Sequence, residues 1–110
     1  MDTTYAMTSI ILRHTDFEPL LNETFHLHYG DNERLPVTLT QVRPWGPQTK
    51  HPQDESLFQP FALMLQSTLR DQYLPQGNFI LSHPQLGEHV LFIVPHAPNA
   101  VGIEYEITFS

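Results

Sequence analysis

The chain alternates between apolar and polar positions in a series of short runs, and the longest paired signal lies over Leu74 to Pro95. Phe79, Ile80 and Leu81 form one apolar run, Pro84-Gln85-Leu86-Gly87 supplies turn residues, and Val90 to Val94 form a second run rich in β-branched side chains. That arrangement predicts a β-hairpin with antiparallel strands. Phe25, Leu27 and Tyr29 alternate with Thr24, His26 and His28, which predicts a half-buried strand followed by a turn at Gly30-Asp31-Asn32. Leu35, Val37 and Leu39 continue the alternation until Val42 falls out of phase, and a bulge near Thr40-Gln41 would restore it. Phe61, Leu63 and Leu65 give another strand after Pro60, and Ile103, Tyr105, Ile107 and Phe109 against Glu104, Glu106 and Thr108 give the last.

Between these runs lie weaker signals. Thr15 or Asp16 can cap a short helix in which Phe17, Leu20 and Leu21 share one face, a plug for one end of a sheet, with Pro19 limiting its length. Pro44 to Ser56 holds three prolines and reads as a long exposed loop that forms no strand, with Trp45 at its root. Ser67 to Tyr73 offers a single helical turn. Leu91 to Val94 is apolar on both faces, so this strand is expected to be covered on both, by a second layer or by the helix and N-terminal arm.

Six strands with hairpin-type connections predict an all-β single domain, residues 14–110: an antiparallel meander forming a small barrel or two-sheet sandwich, with one short N-terminal helix and an arm over residues 1–13. At 110 residues such a domain can bury a core unaided. The arm could pair with a sheet edge or cover a neighbouring subunit.

Charge and composition narrow the function classes. The formal net charge is −7, with five basic residues, and Arg13, Arg34, Arg43, Lys50 and Arg70 are scattered. Nucleic acid and anionic membrane surfaces are therefore not expected partners. The absence of cysteine removes thiol catalysis and thiolate zinc sites. The segment Ile10-Ile11-Leu12 is too short for a signal peptide or a membrane span, so a cytoplasmic protein is expected.

Candidate chemistry rests on seven histidines. His26 and His28 share a strand face and could hold a metal if other ligands converged, as could His83 and His89 beside Glu88; polar strand positions and turn-stabilising hydrogen bonds are the plainer readings. For His83 the preferred reading is a bond from the imidazole to backbone amides of the following turn, which would fix its register. Asp54, Glu55, Glu104 and Glu106 are the carboxylates available for acid–base work, the last two on a solvent face. No nucleophile elbow and no glycine-rich phosphate loop is present, and no cofactor is predicted. Trp45, Tyr29 and Tyr73 fall near strand ends or loops and are candidates for protein contacts or sugar stacking, with Trp45 expected to be partly exposed.

Phe17-Glu18-Pro19-Leu20-Leu21-Asn22-Glu23-Thr24-Phe25, Pro60-Phe61-Ala62-Leu63 and Leu74-Pro75-Gln76-Gly77-Asn78-Phe79 resemble a family of small bacterial proteins carried as a domain of unknown function. His83-Pro84-Gln85-Leu86-Gly87-Glu88, Leu91-Phe92-Ile93-Val94-Pro95 and Tyr105-Glu106 extend the resemblance over residues 17–109. It implies a compact β-rich domain of bacterial origin, without catalytic residues to carry over. Some members are similar in setting to accessory genes beside phage-tail-like fibre or collar proteins, which implies an assembly or attachment role. The leading expectation is thus a non-enzymatic interaction or assembly module that pairs with itself or another protein. The alternative is a small-ligand or metal-binding β-domain using surface histidines.

Overall fold

The computed structural model describes residues 11–51, 54–69, 71 and 73–110. Six strands close into an antiparallel barrel: β1 (Thr24–Tyr29), β2 (Glu33–Pro44), β5 (Phe61–Gln66), β6 (Gly77–His83), β7 (Gly87–Pro95) and β8 (Glu104–Phe109), in the order β1-β2-β5-β8-β7-β6. Two more strands, β3 (Thr49–His51) and β4 (Asp54–Phe58), form a separate ladder between β2 and β5. The barrel departs from a simple meander at one point. After β5 the chain crosses the barrel end to begin β6 beside β1, and β8 returns to pair with β5 along its whole length.

The alternation along each strand produces the core. Phe25, Leu27, Leu35, Val37, Leu39, Leu63, Leu65, Leu81, Ile93, Tyr105 and Ile107 point into the barrel and are buried. Their period of two is what half-buried strands require. The phase slip in β2 is resolved as expected, because the register with β5 shifts between Leu39 and Gln41 and brings Val42 opposite Leu63.

The helix α1 (His14–Phe17) and the 3-10 turn Glu18–Leu20 plug one end. Phe17 packs between Phe25, Phe61 and Phe109, with ring centroids 6.3, 5.9 and 5.8 Å away. The cap differs from expectation. Arg13 is the N-cap residue, and its N–H donates to Asp16 Oδ2 at 2.8 Å, so Asp16 caps from inside the first turn. Leu21 does not share the buried face with Phe17 and Leu20 but is exposed, because the chain leaves the 3-10 turn in an extended conformation there. Of the N-terminal arm, residues 1–10 lie outside the described residues, while Ile11 and Leu12 pack on the core.

The segments leading out of β5 and β7 close the other end. Leu74 is buried, and its N–H donates to the Tyr105 hydroxyl at 3.0 Å. Gly102 lies so close to this crossing that a Cβ built on it would come 2.1 Å from the Ser67 carbonyl oxygen, so only glycine fits. The described residues between Ser67 and Tyr73 are not helical.

Two further expectations are corrected. The proline-rich span Pro44–Ser56 does contain strand: Lys50 pairs with Leu57 and Thr49 with Phe58, and Pro44 and Pro47 come before β3 instead of within it. The strand buried on both faces is β5, where Phe61 to Leu65 are all buried, and not β7. The outward side chains of β7 are open to water, with Val90 at 66%, Phe92 at 47% and Val94 at 37% exposure. Helix α1 sits at the barrel end and leaves that face uncovered.

A candidate interaction face and two polar hollows

The β6–β7 hairpin presents its apolar run outward for a geometric reason. Ile93 points into the barrel and is fully buried, so Val90, Phe92 and Val94 fall on the opposite side of the pleat. Ile80, directly opposite Val90 on β6, extends the patch. The edge of β7 is also incompletely used. Among the described residues β7 joins β8 only through Val94 and Pro95, and in that register β8 ends opposite Leu91, so Gly87 to Val90 run beyond it. Exposed apolar side chains and unpaired strand edge thus coincide on one hairpin.

The hairpin turn is held by a histidine. His83 is buried, with its ring 4.7 Å from that of Phe25. Its Nδ1 accepts the Gln85 N–H at 3.0 Å, which places the ring proton on Nε2, and Nε2 donates to Glu23 Oε1 at 2.8 Å. The expected bond to the turn is present. Both ring nitrogens are therefore engaged. His89 stands opposite Leu81, not opposite His83, and its Nε2 donates to the Leu86 carbonyl at 2.8 Å. Gly87, at φ +79°, follows the turn residues Pro84-Gln85-Leu86 and opens β7 in a left-handed conformation that glycine adopts without strain.

His26 and His28 do lie on one face of β1, and Ser82 stands beside both. His28 Nε2 meets Ser82 Oγ at 2.7 Å, while His26 lines a shallow hollow of about 430 Å³ with Thr24, Ser82, His83 and Glu88. Among the described residues no three His, Asp or Glu side chains converge as metal ligands. Glu106 meets His96 Nε2 at 2.9 Å, and Asp54 and Glu55 fall in β4.

The aromatic candidates separate clearly. Tyr29 packs against the core, Tyr73 is 58% exposed near the crossing segment, and Trp45 is 46% exposed, its backbone N–H donating to the Pro60 carbonyl at 2.8 Å. Trp45 forms the wall of a second hollow, of about 380 Å³, whose other lining residues are Arg43, Pro44, Ala62, Glu106 and Thr108. Sequence reasoning flagged Trp45 as an aromatic candidate and Glu106 as a carboxylate, but did not bring the two together. The other residues come from β2, β5 and β8, and only the long-range pairing of those strands brings them together.

No helix among the described residues is long and apolar enough to cross a membrane. No curated protein and no solved structure matched the chain. Residues 12–109, which take in α1 and all eight strands, match a family described as Domain of unknown function (DUF6916), and the chain belongs to that family.

Proposed function

We propose that the domain is a non-enzymatic assembly module that associates with a second copy of itself through the outer face of the β6–β7 hairpin. The observation that carries this reading is the uncharged apolar patch of Ile80, Val90, Phe92 and Val94 beside a β7 edge that extends past β8. A large aliphatic and aromatic surface left in water is costly, roughly 25 cal/mol for each Å² that association would remove.

Charge selects the partner orientation. Two copies of a chain with net charge −7 repel one another over most relative orientations. The four patch side chains bear no charge, so copies meeting on them keep like charges at the rim, where Glu88 precedes Val90 on the same face and Glu106 stands opposite Val94, and the free edge allows strand addition beside it. Core packing explains Tyr29, and hydrogen bonding explains His28, His83 and His89, whereas none of these contacts uses the outer face of the hairpin.

The sign of the salt dependence follows. Screening weakens repulsion between like-charged copies, so raising ionic strength is expected to tighten self-association, whereas a basic partner would bind more weakly. Sedimentation equilibrium at about 0.02 M and about 0.5 M salt, where the screening lengths differ several-fold, reads this directly. Salt-induced dissociation would contradict the reading.

A further inference from the structure

The geometry points to a second site: we propose that the hollow beneath Trp45 binds a sugar unit carrying one carboxylate, of the uronic-acid class. Its floor is made by a small residue. Ala62 on β5 stands opposite Arg43 on β2 and opposite Thr108 on β8, so these three form one row across the outer barrel wall. Two strand spacings, roughly 9.5 Å, separate the Arg43 and Thr108 backbones, and the alanine between them leaves the space empty. Trp45 closes one side. Glu106, two residues before Thr108 on the same face, closes the other.

Each lining group has a use for such a ligand. The half-exposed indole of Trp45 offers an apolar face suited to the C–H side of a pyranose ring. No hydrogen bond or ion pair ties down Arg43 among the described residues, so its guanidinium is available for bidentate binding of a carboxylate. Glu106 uses Oε1 for His96 and keeps Oε2 for a sugar hydroxyl, and the Thr108 hydroxyl can donate or accept.

Charge limits the anion. A phosphate would bring close to two negative charges next to Glu106 on a chain of net charge −7, with Arg43 as the one cation lining the hollow among the described residues. A single carboxylate on an otherwise neutral, hydroxyl-rich ring matches one guanidinium, one carboxylate, one hydroxyl and one indole. The residues used differ from the β6–β7 patch, so the site stands or falls independently of self-association.

Trp45 is the only tryptophan in the chain, so its emission reports this hollow alone. The experiment titrates the full chain with galacturonate oligomers, galactose oligomers of equal length, sodium acetate, and a tripeptide with a free C-terminal carboxylate. A saturable change with the galacturonate oligomers, binding about tenfold or more tighter than the neutral ones, is expected from one charge-assisted bidentate contact. Arg43→Gln is expected to remove that preference while leaving the melting temperature unchanged. Equal affinity for acidic and neutral oligomers, no saturable change, an acetate response equal to that of galacturonate, or tighter binding of the tripeptide would each overturn the assignment.

Discussion

Tyr105 shows how one side chain ties two distant segments together. It is fully buried, and its phenol oxygen accepts the N–H of Leu74, the residue at which the crossing segment enters the core. Tyr105→Phe leaves that buried N–H without a partner and is expected to cost about 1–2 kcal/mol in denaturant unfolding. Burial holds the Tyr105 phenol above its ordinary value of 10.0, with the Leu74 N–H opposing the shift. A raised folded-state value means that the unfolded chain loses this proton first, so the contribution to stability is complete below pH 10 and declines as pH rises through the folded value. Stability measured from pH 8 to pH 11 should fall at the alkaline end, and Tyr105→Phe should flatten that limb. The inward position of Tyr105 was legible from the alternation of β8. Its hydroxyl partner was not, because Leu74 is 31 residues away and only the crossing after β5 brings it near.

At the scale of elements, the β6–β7 hairpin is set by its turn. His83 accepts the Gln85 N–H, donates to Glu23, and packs on Phe25, so it joins the turn to the segment entering β1. Removing it in His83→Ala leaves an amide without its acceptor and a gap against the Phe25 ring, with an expected loss of about 2–3 kcal/mol. Chemical denaturation checks this, and amide exchange at Gln85 should quicken. Strand positions were readable wherever polar and apolar residues alternate, and the β2 bulge was readable from the phase slip at Val42. Two elements were not. The β3–β4 ladder is hidden by prolines that come before β3 instead of within it. In β7, an apolar residue at every position from Val90 to Val94 erases the alternation, so sequence cannot say which side faces out.

For the whole molecule, closure depends on pairings between β5 and β8 and between β1 and β6, which no local pattern encodes. The hollow at Trp45 shares part of that dependence, since Arg43, Ala62, Glu106 and Thr108 meet only through the β2–β5 and β5–β8 pairings. The same closure, with β8 ending opposite Leu91, leaves one hairpin reaching beyond the wall and showing its apolar face. Self-association through that face is the central claim. Val90→Lys/Phe92→Lys places two charges in the patch without touching the core, and the added lysines lower the net negative charge, so general repulsion cannot explain a loss of assembly. The decisive measurement is mass by light scattering over a range of concentrations, for the native chain and this double variant, with thermal melting to confirm that both fold. A native chain that forms a dimer or larger assembly and a variant that stays monomeric is the predicted result. A native chain that is monomeric at every concentration, or a variant that assembles equally well, would contradict it.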